Sequence, residues 1–327
     1  MNNLVTGAAF GAALTASGVY QPSVIVSQLN FTNFHMIQAF LTAAAGSACI
    51  VSAAQALSSK PLPPRPGSTI GLFGHYDGNI IGGLLLGTGM MLSGACPGTV
   101  LAQLGVGVRS GLYAFQGAAL AGVVWSGILQ PILKKQECEG KDPVTEKQTV
   151  YEVLGIPKGV FLVGLEAMFI SIVVAAAKFT SVGPEAKIPP YVGGMLIAAG
   201  QLLSLAVRGK LVGMSTSYEE VGGWFWSAVK GGGVLPAKYE NMLFSAGVVA
   251  GSFLLSHLIP TFGEFTKVMV SPLSAAVGGF LMILGSRIAG GCTSGHGISG
   301  ISLLSTSSFL TIAATFAAGG LTGLLMG

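Results

Sequence analysis

The chain is laid out as about nine apolar runs almost free of charge, at residues 4–17, 36–58, 78–93, 111–133, 157–178, 190–206, 241–259, 271–287 and 307–326. Only 9% of its 327 residues are Asp, Glu, Lys or Arg, whereas a soluble domain uses about 25%. A water-facing surface cannot be covered with so little charge. In hydrocarbon every backbone polar group must be satisfied within the protein, which leaves helices and closed barrels. The runs have helical rather than strand length, so the expected fold is all-α: a polytopic transmembrane helical protein, integral to the lipid bilayer. The basic residues are scattered through short connections, so the net charge of +4 gives no reason to expect nucleic acid as a partner. No Lys or Arg precedes the first run, which makes it a poor signal peptide.

Several runs fall short of the ~20 helical residues that a ~30 Å hydrocarbon core requires. The short ones lead into Gly/Ser/Pro-rich sequence at 18–30, 94–110, 207–223 and 287–305. Non-helical backbone survives at membrane depth only where protein or a wet cavity satisfies it. These four segments are therefore expected to be re-entrant loops or half-helices meeting inside the bundle.

Two of them are copies. Gly82 to Thr99 (GGLLLGTGMMLSGACPGT) aligns without a gap on Gly278 to Gly295 (GGFLMILGSRIAGGCTSG), and Cys96 falls on Cys292. Leu14 to Gly18 matches Leu205 to Gly209 in the same way. With nine crossings the copies lie an odd number apart, so they run oppositely, as an inverted internal repeat. The expected halves are 1–133 and 157–327, the latter made of a linking span 157–178 and the repeat 190–327. The aqueous stretch 134–156 joins the two halves. Trp125, Trp224 and Trp226 suit the membrane interface.

The chemistry lies where the glycines gather. Pro97 is suited to the first position of a helix, which puts Cys96 at the N-cap beside free N–H groups. In the second copy Thr293 and Ser294 are capping types. Gly94, Gly98, Gly291 and Gly295 let backbone approach a ligand closely. Thr99 completes the first loop. Two facing half-helix N-termini form an anion site without fixed charge, and Arg287 stands on the same approach, where an arginine is expensive unless it has a task. A thiol is polarisable and a weak donor, suited to a soft sulfur-bearing anion. The four cysteines show no C-x-x-C and no histidine at metal spacing, so neither a metal site nor a cofactor is expected. Ser215 and Thr216 offer hydroxyls from the opposing loop. Glu166, in mid-span, reads either as a proton-coupling group or as a structural carboxyl. His296 reads as reaching the site or, preferably, as tying its own loop.

The segments SGACPGT at 93–99 and GSRIAGGCTSGHGISG at 285–300 resemble the two signature segments of the YeeE/YedE sulphur-transport family. The resemblance spans nearly the whole chain. It implies an hourglass-shaped helical transporter whose central cysteines, Cys96 and Cys292 here, pass thiosulfate along by S–H···S contacts. It also implies a soluble sulfur-carrier protein as partner. Thiosulfate importers of the family carry a further cysteine on the first loop. That loop here reads Ser17 to Ser23 without one, which leaves Tyr20 or Gln21 as polar stand-ins or a related substrate. Two other readings stand beside transport of thiosulfate or a similar anion. One is a membrane-embedded sulfurtransferase that forms a cysteine persulfide. The other is a channel for another small anion.

Overall fold

The computed structural model describes residues 1–57, 62–133, 148–180, 187–230, 239–265 and 270–326. Its helices are α1 (Asn2–Ala16), α2 (Pro22–Leu29), α3 (His35–Leu57), α4 (Asp77–Ser93), α5 (Thr99–Val106) and α6 (Arg109–Leu133). They continue with α7 (Val150–Leu154), α8 (Lys158–Phe179), α9 (Pro190–Arg208), α10 (Ser215–Val229) and α11 (Glu240–Leu258). Last come α12 (Pro272–Ile288), α13 (Thr293–Gly300, wound wider than an α-helix) and α14 (Thr306–Met326). Among the described residues the one extended pairing is an isolated bridge between Thr149 and Ser305. The protein is thus all-helical.

Helices stand at all nine expected places, but the count of nine crossings needs correcting. Six of the helices (α3, α6, α8, α9, α11 and α14) are long and apolar enough to cross a bilayer, and α12 with α13 makes a seventh if that pair, bent by 45°, is one span. The helices α1 and α4, of 15 and 17 residues, are too short alone. Each stops at a chain break and hands over to a short helix. The breaks share one device: Gly18, Gly94, Gly209 and Gly290 all have positive φ, between 61° and 80°. That conformation ends a helix and costs any residue with a Cβ.

The packing repeats with an offset of eight elements. α1 packs on α11 as α9 packs on α3, α4 on α14 as α12 on α6, α5 on α11 as α13 on α3, and α6 on α10 as α14 on α2. The two helices that pair with their own counterparts run antiparallel. Along α4 and α12, Gly82 lies against Gly285 and Ala289, while Gly89 lies against Gly278 and Met282. Along α1 and α9, Phe10 meets Gly200 while Ser17 meets Gly193. α8 stands outside this scheme. Val160, Val163 and Ile170 on it are exposed, a surface for lipid. Residues 134–147, including Cys138, lie outside the described residues.

Candidate functional site

The first cysteine loop begins at the left-handed Gly94. The regular helix α5 starts at Thr99, but the hydrogen bonds of a helix start are already present at Cys96. The Cys96 carbonyl accepts from Val100 N–H at 3.0 Å. The Thr99 N–H donates to Cys96 Sγ at 3.4 Å, and the Cys96 N–H donates to Thr99 Oγ1 at 2.7 Å. This is the reciprocal bonding of a capping box, with a thiol in the capping role. Cys96 is half-buried, and the Tyr218 hydroxyl holds its loop by donating to the Pro97 carbonyl at 3.0 Å.

Cys292 is fully buried and sits before α13 in extended conformation. Two helix starts aim at its sulfur. From α10 come the Met214 N–H, at 3.4 Å, and the Ser215 N–H; from α13 comes the Gly295 N–H. Ser294 Oγ lies 3.2 Å away. Backbone N–H groups at helix N-termini are an anion-binding arrangement, here converging on a thiol. Tyr218 lies within electrostatic reach of both Cys96 and Cys292. Met214 adds a second link, since a Cβ on Gly98 would lie 3.4 Å from its side chain.

The two loops border one cavity of about 70 Å³, whose polar lining is Cys96, Thr99, Thr293 and Ser294. Its remaining wall is apolar, with Phe10, Leu14, Val19, Ile25, Phe40 and Phe316 among the lining residues. That volume holds roughly five waters if each takes about 15 Å³, enough for a small, partly dehydrated anion.

Two staples of equivalent position brace the loops, each seven residues past its cysteine (96 to 103, 292 to 299). Gln103 Nε2 donates to the carbonyls of Tyr20 and Gly94 at 2.8 and 2.9 Å. Ser299 Oγ donates to the Val212 carbonyl at 2.6 Å, and Gln201 Oε1 accepts from Val212 N–H at 2.9 Å. Each staple ties a cysteine half-helix to the neighbouring re-entrant loop.

Arg287 reaches this centre. It donates to Ser215 Oγ at 3.3 Å and to Thr216 Oγ1 at 3.4 Å, and it pairs with Glu219, whose other oxygen accepts from Gln130 at 2.7 Å. Its guanidinium lies 5.8 Å from the Trp125 ring centroid. Trp125 is buried within the protein, against the Arg287 side chain. Glu219 is a counter-ion, while Glu220 caps α11 by accepting from the N–H groups of Asn241 and Met242 at 3.1 and 2.9 Å.

Other sequence-selected residues lie further out. The Tyr20 hydroxyl donates to the carbonyls of Phe262 and Glu264 at 2.9 and 3.1 Å, and Val19 rather than Tyr20 or Gln21 lines the cavity. Gln21 is buried with Oε1 unpartnered. His296 commits both ring nitrogens: Nε2 to the Ala289 carbonyl at 3.0 Å and Nδ1 to Ser308 Oγ at 2.9 Å. A carbonyl only accepts, so Nε2 carries the proton and Nδ1 accepts from Ser308. The ring ties its loop, and a Cβ on Gly291 would stand 2.9 Å from it. Glu166 contacts Cys49 across α3 and α8, away from the cavity, with one carboxylate oxygen unpartnered.

Arg65 is the residue that sequence reading passed over. It lies in the proline-rich connector before α4, and its backbone is clamped on both sides: its N–H donates to Ser305 Oγ at 2.8 Å, and Ser307 Oγ donates to its carbonyl at 3.0 Å. Its side chain enters the Cys292 loop, with Nη1 donating to the Gly290 carbonyl at 3.3 Å and Nη2 at 3.3 Å from a Cβ placed on Gly295. Burial pulls the guanidinium below the usual arginine range, Cys292 pushes it back up, and Arg287 adds to the fall. The available signal was its setting: Pro63, Pro64 and Pro66 hold an extended backbone, so the arginine is presented by a stiff segment.

Residues 16–322 match the family described as sulphur transport. A probable transporter of Xylella fastidiosa (strain Temecula1 / ATCC 700964) is 33% identical over 138 residues, 42% of this chain and 93% of that protein. The thiosulfate transporter TsuA of Spirochaeta thermophila is 28% identical over 262 residues, 71% of this chain and 72% of that one.

Proposed function

Because this chain belongs to the sulphur-transport family and is an integral multi-pass membrane protein, we propose that it moves thiosulfate through the interior where the Cys96 and Cys292 loops meet. The observation that carries this reading is the shared cavity, which Cys96 and Thr99 line from one repeat-equivalent loop and Thr293 and Ser294 from the other, within an almost wholly apolar wall. Half 1–133 contributes the Cys96 thiol to it, and half 190–327 borders it through Thr293 and Ser294, the residues that follow Cys292. The similarity to a thiosulfate transporter supports the choice of anion.

The chemistry follows from the lining. An anion entering the apolar cavity loses most of its water, and Cys96, Thr99, Thr293 and Ser294 replace part of that shell. Binding strong enough to admit an ion yet weak enough to release it is what conduction requires. The thiols offer a soft S–H donor to the terminal sulfur, a match that hydroxyls and amides do not give sulfate. Glu166, in contact with Cys49, reads either as a proton-coupling group or as a structural carboxyl, and a soluble sulfur carrier is the expected recipient of the anion.

Purified protein in liposomes tests this. Labelled thiosulfate accumulates with the wild-type protein, and Cys96→Ala and Cys292→Ala each lose at least about tenfold in flux, the loss of roughly 1.4 kcal/mol of stabilisation at the narrowest point. Unchanged flux in both variants contradicts the reading. A sulfurtransferase would act differently: the Cys292 thiolate would attack the sulfane sulfur, the S–S bond would break, and sulfite would leave with the electron pair. Release of sulfite during uptake therefore favours the enzyme. Both His296 nitrogens are committed elsewhere, so His296 does not supply the base that chemistry needs.

A further inference from the structure

We infer that Arg65 is the fixed countercharge for the oxyanion end of the transported anion, binding it beside Cys292. The inference deepens the thiosulfate reading and rests on it for the identity of the anion.

Arg65 carries a charge that no described counter-ion balances. Arginine stays protonated in proteins, and a buried cation is costly unless paired. Arg65 is partly exposed as a residue but reaches among the loops around Cys292, with Nε buried and without a partner. Ion pairs among the described residues join Lys187 to Glu264, Lys210 to Glu240 and Arg287 to Glu219. None of them includes Arg65, and its one described side-chain hydrogen bond goes to the Gly290 carbonyl. The second cation, Arg287, is close enough to repel it. Arg287 already has a carboxylate, so Arg65 is the member of the pair that awaits an anion.

The surroundings fit a ligand better than a structural role. Two glycine loops flank the guanidinium, with Cβ positions on Gly291, Gly295 and Gly213 at 3.1, 3.3 and 3.8 Å from its nitrogens. Its position is set by backbone bonds to Ser305 and Ser307, so the side chain is free for another task. The amides of Met214, Ser215 and Gly295 that point at Cys292 lie on the same loops. An anion with a soft end and an oxyanion end is thereby oriented, its terminal sulfur toward the thiol and its oxygens toward the guanidinium, which offers planar paired donors.

The test uses full-length protein in detergent, titrated with thiosulfate and with sulfate. Binding and melting temperature are read for the wild type, Arg65→Gln, Arg65→Lys and Cys96→Ala. Arg65→Gln is expected to weaken thiosulfate binding by roughly tenfold or more and to abolish the ligand-induced rise in melting temperature. Its ligand-free melting temperature stays level or rises, because a partly buried cation with no counter-ion among the described residues has gone. Arg65→Lys, which keeps the charge, retains the ligand-induced rise in part. Wild-type affinity in Arg65→Gln overturns the inference. So does a variant that melts lower or fails to fold without ligand, since Arg65 would then be a structural tie to Gly290. If the wild type ignores thiosulfate but is stabilised by sulfate through Arg65, the countercharge stands and the thiosulfate reading falls. If Cys96→Ala alone loses thiosulfate binding, the thiosulfate reading stands and the countercharge falls.

Discussion

A cysteine sulfur is a weak hydrogen-bond acceptor, yet the Cys292 sulfur faces three backbone N–H groups from two helix starts, with the Ser294 hydroxyl beside it. Cys96 is served by a single N–H, from Thr99. The two thiols are therefore unequal in their surroundings. On this view Thr99→Val, which keeps the volume and removes the hydroxyl, strips the Cys96 N–H of its 2.7 Å partner. A loss of about 1 kcal/mol is expected, read as a lower melting temperature with reduced thiosulfate flux. Removing the carboxylate that balances Arg287, as in Glu219→Gln, should cost about 3 kcal/mol, the lower end for breaking a buried pair, and guanidinium-free thermal unfolding in detergent checks it. Both cysteines were legible in the sequence because each interrupts an apolar run at the same place in a copied segment. Arg65 was not, because its importance depends on the connector folding back against residues 225 positions away, and local pattern carries no record of that. Trp125 misled for a related reason: an amphipathic ring near a helix end suits an interface equally well, and only the packing shows Arg287 beside it.

At the scale of the element, the left-handed glycines at 18, 94, 209 and 290 decide where helices end, and the short helices after them place amides in the interior. These breaks were readable, since glycine clusters after short apolar runs have few other uses. The number of crossings was less so. α1 and α4 look like spans by composition but stop early, and they are supported by close packing on α11 and on α12 and α14 rather than by bilayer thickness. That packing depends on backbone contact: a Cβ at Gly251 would lie 1.9 Å from the Ala8 carbonyl oxygen. Gly251→Leu should push α1 and α11 apart and destabilise by about 1–3 kcal/mol or more, visible as a lowered melting temperature in detergent. The staples are a second device that sequence did not reveal. Gln103→Leu leaves the Tyr20 and Gly94 carbonyls without their described side-chain donor. A cost of about 1–3 kcal/mol follows, and hydrogen exchange should quicken in residues 94–106 before it does elsewhere.

Over the whole molecule, the eightfold offset in packing partners and the antiparallel pairing of α4 with α12 and of α1 with α9 make the two cysteine loops approach one cavity from opposite directions. The repeat was legible from the gapless match between residues 82–99 and 278–295, while the meeting of its loops through Tyr218 and Met214 emerged only from the fold. The most direct measurement is a structure of the protein with the selenium analogue of thiosulfate, located by the anomalous scattering of selenium. A selenium peak is expected within contact distance of the Cys96 or Cys292 sulfur, and beside Cys292 the oxygens are expected to turn toward Arg65. A peak on the lipid-facing surface, or at a polar site reached without passing either thiol, would contradict it.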